Sequence, residues 1–307
     1  MTFKYLITGA TGGLGGGVLQ QIAKHAPKSD YAASSSRPEV AEQFERSGIQ
    51  FRHANYQDRA SLEKGFAGVE KLLFVSANTY DNEARNQQHR NVIEAAKSAG
   101  VGHVFYTSLA WGGHSSDSKI DVQQAHYVCE AMLKESGIAY TSVREGIYAE
   151  AFPLFLNYYP SSQILRLPAD GAVAYASRAE LAEATANLMM RGGHKKEIVL
   201  LTGAKAVTLA DLVEIINDVT GRGIAVEKVP FDKYTRESAE NDEGGKSEWW
   251  FEKRVSWYDG VAKGDGKAVD PLMEHLLGRK PKDGTEVVRG ILAADPIYTW
   301  HQNYAKK

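Results

Sequence analysis

Gly9, Gly12 and Gly15 recur at every third residue in the stretch Thr8-Gly9-Ala10-Thr11-Gly12-Gly13-Leu14-Gly15. Glycines spaced this way perform no reaction, but they let a backbone come close to an anion. Gly9 suits a tight turn, Gly12 presents no Cβ to a diphosphate, and Gly15 lets a helix pack tightly on a strand. The spacing is one residue longer than the usual dinucleotide fingerprint. A second group stands about 20 residues further on, where an acidic residue would hold a ribose 2′-hydroxyl. Here the chain reads Ser34-Ser35-Ser36-Arg37 instead. Hydroxyls beside a guanidinium suit a 2′-phosphate, which arginine pairs bidentately. The expected cofactor is therefore NADP(H), with Ser36 and Arg37 at the 2′-phosphate; the alternative for Arg37 is a solvated surface charge.

The proton-transfer apparatus is less clear. A tyrosine with a lysine four residues later sits one helical turn from it, and the ammonium lowers the phenol's pKa. No tyrosine in this chain has that lysine. Tyr127 is followed at that distance by Ala131, and Tyr140 by Arg144. His126 is the first candidate donor, because an imidazole titrates near neutrality; the competing reading is a packed or exposed bystander. Tyr148, Tyr127 and Ser108 rank below it. Trp111 is placed for a pocket wall, and Phe152 and Trp249 are further candidates to meet a flat aromatic substrate. Trp250, Phe251 and Trp257 read equally as core at helical spacing.

These residues need a scaffold. Phe3–Ile7 is a short apolar strand before the glycines, and Val18–His25 carries helical periodicity after them. Strands are expected at Tyr31–Ser36, Ile49–His53, Lys71–Val75, Val104–Ser108 and Tyr140–Arg144, with helices between them. Pro38 opens one helix, Asp58 caps Arg59–Phe66, Asn82–Ala99 ends at Gly100, and Val122–Ser136 follows the fifth strand. Asn55–Asp58 is a loop able to flank an adenine. Alternating strands and helices imply a doubly wound parallel α/β sheet of Rossmann type. Residues 1–150 are expected to bind the dinucleotide. Residues 151–307 read as a smaller α/β substrate lobe, interleaved with the last strands of the sheet. That lobe should hold helices Arg178–Arg191 after Ser177, Leu209–Thr220 after Thr208, two more of which the second carries Trp249, Trp250, Phe251, Trp257 and Tyr258, and one at Val287–Leu292 within a tail running to Tyr304.

With 307 residues, 43% of them hydrophobic, the chain can bury a large core. A net charge of −2 offers no basic surface for nucleic acid. No stretch reads as a membrane span or a signal peptide. The one cysteine, Cys129, rules out an internal disulfide, fits a cytoplasmic setting and reads as a small buried hydrophobe. Arg279, Lys280 and Lys282 read as a solvated face.

The chain also resembles the NmrA-like group of atypical short-chain dehydrogenase/reductases, which includes NADPH-dependent quinone oxidoreductases and triphenylmethane reductase. The resemblance rests on Thr8–Gly15, His89–Ala96, Tyr106–Ser108, Ser136–Thr141 and Arg144–Tyr148, and runs more loosely to Gly278-Arg279-Lys280-Pro281. It implies that Gly9, Thr11, Gly12, Gly13, Leu14 and Gly15 hold the diphosphate. Ser76 and Ala77 would then lie along the adenosine side, Thr107 and Ser108 near the nicotinamide ribose, and Ile147 and Tyr148 against the nicotinamide. Two positions depart from the group: Glu145 replaces an asparagine, and the basic residue sits one place later, at Arg37. The implied activity is NADPH-dependent reduction of a conjugated carbonyl, quinone or enone by direct hydride transfer. Such small, aromatic or quinone-like acceptors are activated already and need proximity and a dry pocket more than an acid. A non-catalytic redox sensor and a biosynthetic isomerase or lyase stand as alternatives. The protomer is expected to act as a monomer or homodimer.

Overall fold

The computed structural model describes residues 2–300. The first half alternates β1 (Phe3–Ile7), α1 (Gly13–His25), β2 (Tyr31–Ser35), α2 (Ala41–Arg46), β3 (Gln50–His53), α3 (Arg59–Phe66), β4 (Val69–Phe74), α4 (Asn82–Ser98), β5 (His103–Leu109), α5 (Asp121–Ser136) and β6 (Tyr140–Glu145). It continues through α6 (Phe152–Leu156), β7 (Ile164–Leu167), α7 (Arg178–Arg191), β8 (Glu197–Leu201), α8 (Leu209–Thr220) and β9 (Ala225–Lys228). The last elements are α9 (Phe231–Glu240), α10 (Glu248–Lys263), α11 (Leu272–Leu277) and α12 (Gly284–Ala294).

Seven strands form one parallel sheet in the order β3-β2-β1-β4-β5-β6-β8. Neighbouring residues along each strand serve opposite faces, as pleating requires. Leu6, Leu72 and Tyr106 pack under α3, α4 and α5. Ile7, Leu73 and Phe105 pack under α1 and α7. Burial on both faces explains why the central strands read as continuous apolar runs. The strand order reverses between β1 and β4, and a crevice opens there beyond the strands' C-terminal ends. Thr8 ties the two ends together: its amide donates to the Leu73 carbonyl at 3.1 Å, and its hydroxyl accepts from the Val75 amide at 3.0 Å.

A third core lies over this crevice, built from α6, α8, α10 and α12 around Phe152, Leu212, Trp250 and Val288. The chain does not stay in it: α7 packs on α1, and β8 pairs with β6. A two-stranded parallel sheet of β7 and β9 also belongs to this half. Neither β7 nor α11 shows a periodic pattern, being four and six residues long. Asp58 caps α3 as expected, accepting from the amides of Ala60 and Ser61. Thr208 and Asp211 close a reciprocal cap on α8. The Ser177 hydroxyl does not cap its helix; Glu150 accepts the Arg178 amide instead, at 2.9 Å. Tyr304, the end of the expected tail, lies outside the described residues.

Candidate active site

The crevice widens into a cleft of ≈ 800 Å³ running from β2 to the helices of the second lobe. Its floor is the glycine turn. Gly9 has φ +61°, which a side chain would strain. A Cβ on Gly15 would run into the carbonyl of Gly9, so the turn closes on α1 only with glycine there. Gly12 is the N-cap and offers no side-chain cap. Within α1 the Gly16 amide is the first to find a backbone acceptor, the Gly12 carbonyl, leaving those of Gly13, Leu14 and Gly15 for a ligand. Thr11 stands beside them. Arg178, at the start of α7, lies over the turn: a Cβ on Gly13 would come within 2.5 Å of its guanidinium. This set of open amides, helix dipole and guanidinium fits a diphosphate.

At one end of the cleft, Ser36 and Arg37 stand exposed just past β2. The Ser35 hydroxyl holds the Arg37 amide at 3.2 Å, and His53 Nε2 lies 3.1 Å from the Ser36 carbonyl. Along the wall, Tyr56 from the Asn55–Asp58 loop places its hydroxyl 2.8 Å from the Val75 carbonyl. Ser76 and Ala77 line the cleft beyond it. The Ala77 amide donates to His89 Nε2 at 3.1 Å, so that nitrogen is an acceptor and the ring is neutral. Burial pushes the His89 imidazole down to about 3, which keeps it so.

The other end is aromatic. Trp111, Ile147, Tyr148, Phe155 and Trp257 line it there, while Trp300 lies nearer the turn, its ring centre 5.2 Å from the Arg178 guanidinium. Tyr148 donates its hydroxyl to Glu145 Oε2 at 3.0 Å. Among the described residues Glu145 is buried without an ion-pair partner, and its Oε1 has no hydrogen-bond partner. Burial lifts its carboxyl from 4.5 to about 8 and holds the Tyr148 phenol well above its ordinary value, so both stay protonated at neutral pH. The sign for stability follows. The unfolded Glu145 releases its proton near pH 4.5 and the folded one near pH 8, so the stability this group contributes at low pH is lost across that interval. Glu145→Gln should remove that loss. Urea midpoints of wild type should fall relative to the variant between pH 5 and pH 8, and parallel midpoints would contradict a neutral buried carboxyl.

Several expected site residues lie elsewhere. His126 does not line the cleft; it is enclosed under the sheet, where its Nδ1 lies 2.7 Å from the Tyr106 hydroxyl. Burial pushes its imidazole well below the usual range, so from there it cannot pass a proton to a bound molecule. Ser108 is also buried, donating to Glu130 Oε1 at 2.9 Å. Thr107 faces inward too, and its hydroxyl accepts from the Ser76 amide at 3.0 Å. It shapes the wall without lining it. Phe152 is fully buried in the third core, because α6 turns Leu154 and Phe155 toward the cleft and Phe152 away. Trp249 is 54% exposed on the outer face of α10, with the Lys253 ammonium 5.9 Å from its ring centre. Trp257, eight residues further along α10, reaches the cleft instead. Cys129 is buried, and Arg279 reaches Glu180 and Glu183 on α7. Among the described residues, no cluster suits a metal ion and no helix is long and apolar enough to cross a membrane.

Arg178, Tyr56, Arg85 and Trp300 carry no local motif. Arg178 lies 165 positions after Gly13 in the chain, and only the packing of α7 on α1 brings them together.

Residues 1–248 match the model of the NmrA-like family. The chain belongs to the NmrA-like family. Among similar proteins in this family is an oxidoreductase of Aspergillus flavus with an NmrA-like family domain, 49% identical over 99% of this chain and 100% of that protein. Quinone oxidoreductase 2 of Escherichia coli is 36% identical over 73% of this chain and 77% of its own length. The crystal structure of Citrobacter sp. triphenylmethane reductase complexed with NADP(H) superposes with a TM-score of 0.83, at 31% identity, covering 94% of this chain and 99% of that one. The Rossmann sheet and the lobe above it are thus an NmrA-like architecture from end to end.

Proposed function

We propose that this NmrA-like protein is an NADPH-dependent reductase of conjugated carbonyl compounds, quinones or enones. One observation carries this reading. The open amides of α1 and the aromatic end belong to the same cleft, so a dinucleotide laid on the glycine turn would end where a flat ring can stack. NADPH supplies the hydride when bound. Gly9, Thr11, Gly12, Gly13, Leu14 and Gly15 would hold its diphosphate, with Arg178 above. Arg37 and Ser36 would select its 2′-phosphate, and Ser76 and Ala77 would border the adenosine side. Ile147 and Tyr148 would press on the nicotinamide, while Trp111, Phe155 and Trp257 exclude water around the acceptor.

Tyr148 is the hydroxyl at the reaction end. The residues behind it hold its proton on, the reverse of what a neighbouring lysine does. With its one O–H directed at Glu145, it packs against the acceptor and passes it no proton. That suits acceptors that take hydride readily and then gather a proton from water. The reading is compatible with a monomer or a homodimer. The single cysteine suits work in a reducing, cytoplasmic setting.

The test is NADPH consumption by the purified protein against a panel of neutral quinones and enones, followed by absorbance. Turnover with at least one acceptor is expected. Tight NADPH binding without turnover of any would give the protein a sensor's role, and substrate conversion without NADPH loss would make it an isomerase or lyase.

A further inference from the structure

Three arginines line the cleft, and two of them stand where the cofactor's anions are expected: Arg37 at the 2′-phosphate and Arg178 at the diphosphate. The third, Arg85 on α4, has no such partner. Its side chain is 94% buried, with 6% exposed. It donates to the Thr79 carbonyl, and its Nε has no partner. Among the described residues it forms no ion pair; the nearest acid to influence it, Asp121, is held by Asn82 and lies 3.9 Å from Lys253. A second buried guanidinium lies behind Tyr80, packed against the rings of Tyr80, Trp250 and Trp257. Arg254 on α10 is 1% exposed, reaches the Tyr80 hydroxyl at 3.4 Å and likewise pairs with no carboxylate. Tyr80 lies between the two and lines the cleft, as do Val122 of α5 and Trp257, one turn beyond Arg254.

Two cations taken out of water with no counter-charge are costly to hold. Burial lowers both guanidinium groups from their usual value, Arg254 to about 10. An anion entering the cleft beside Arg85 would offset that cost and use the Nε donor that the fold leaves idle.

Building on the reductase reading, we propose that Arg85, with Arg254 behind Tyr80, forms an anion subsite at the aromatic end of the cleft, and that the natural acceptor is an aromatic or conjugated carbonyl compound bearing a carboxylate. The carboxylate docks on Arg85, which turns the flat ring between Trp257 and Tyr148. This subsite sets specificity and performs no step of the reduction.

Calorimetry on the NADP⁺-saturated protein tests it with two probes of equal shape, 2-naphthoate and its neutral counterpart 2-naphthamide. The naphthoate should bind wild type at least about tenfold more tightly, the scale of a charge-assisted hydrogen bond. Arg85→Gln should shrink that preference to below about twofold, Arg85→Lys should retain part of it, and NADP⁺ affinity should stay put in both. The comparison of probes on wild type needs no variant and so stands whether or not Arg85→Gln folds. Equal affinity for the two probes, no saturable naphthoate binding, or a parallel loss of NADP⁺ affinity in Arg85→Gln would overturn the subsite. Turnover of neutral 1,4-naphthoquinone separates the two readings. A protein that prefers naphthoate but reduces no quinone or enone keeps the subsite and loses the reductase reading; turnover with no preference for the anion does the opposite.

Discussion

Arg37→Ala should weaken NADPH binding about 10- to 100-fold while NADH binding changes by less than about twofold, as expected from losing hydrogen bonds to a charged group. The two dinucleotides differ only at the 2′ position, so the ratio of their affinities isolates one contact. Arg37 stands exposed at the end of β2, beside Ser36 and held by the Ser35 hydroxyl, with its guanidinium free to fork onto a phosphate. No carboxylate occupies the place that would grip a bare ribose. Calorimetric titration of both dinucleotides into wild type and variant gives the answer. Equal losses for both would show that the side chain steadies the turn and selects nothing. The effect should also shrink at high salt, because the site is open to solvent.

The second large effect is structural, at Glu130. This carboxylate is buried and accepts from Arg144 Nη2 at 2.6 Å, Arg144 Nε at 3.0 Å, Ser142 at 2.8 Å and Ser108 at 2.9 Å. Arg144 is wholly buried and also donates to the carbonyls of Gly113 and Ser115, at 2.7 and 2.5 Å. The pair therefore clamps the loop after β5 that carries Trp111. Removing one partner leaves the other charge buried alone, which typically costs about 3–5 kcal/mol. Glu130→Ala should lose that much stability in urea unfolding, and with it the set of the Trp111 loop. Exchanging both residues for apolar ones, as in Glu130→Met with Arg144→Met, should recover much of the loss. A single variant costing under about 1 kcal/mol would mean that water reaches the guanidinium and that the clamp is weak.

Which residues betrayed their place depended on the range of the forces acting on them. The glycine turn is local: conformational freedom at Gly9 and the lack of a side chain at Gly15 are needed within a dozen residues, so spacing alone reveals the cradle. The sheet was legible for the same reason, since two-sided burial writes unbroken apolar runs into β4 and β5. Side chains on one strand or helix, by contrast, divide between a cleft and a core according to what lies opposite. Ser108 and Thr107 sit at the right height on β5 but are both buried, Ser108 toward α5, where His126 is enclosed as well. Phe152 and Trp249 were the right residue types on the wrong faces of α6 and α10, a matter of helix rotation settled by packing.

By itself, then, the order of residues determined the parallel α/β sheet, the glycine cradle under α1 and the basic end of β2, because each depends on neighbours close along the chain. Tertiary structure alone decided that Arg178 closes over Gly13, that Tyr148 leans on a protonated Glu145, and that Arg85 and Arg254 meet around Tyr80. The first and last of those contacts join elements far apart in the chain, the second is close in sequence but owes its proton to burial, and no local pattern records burial.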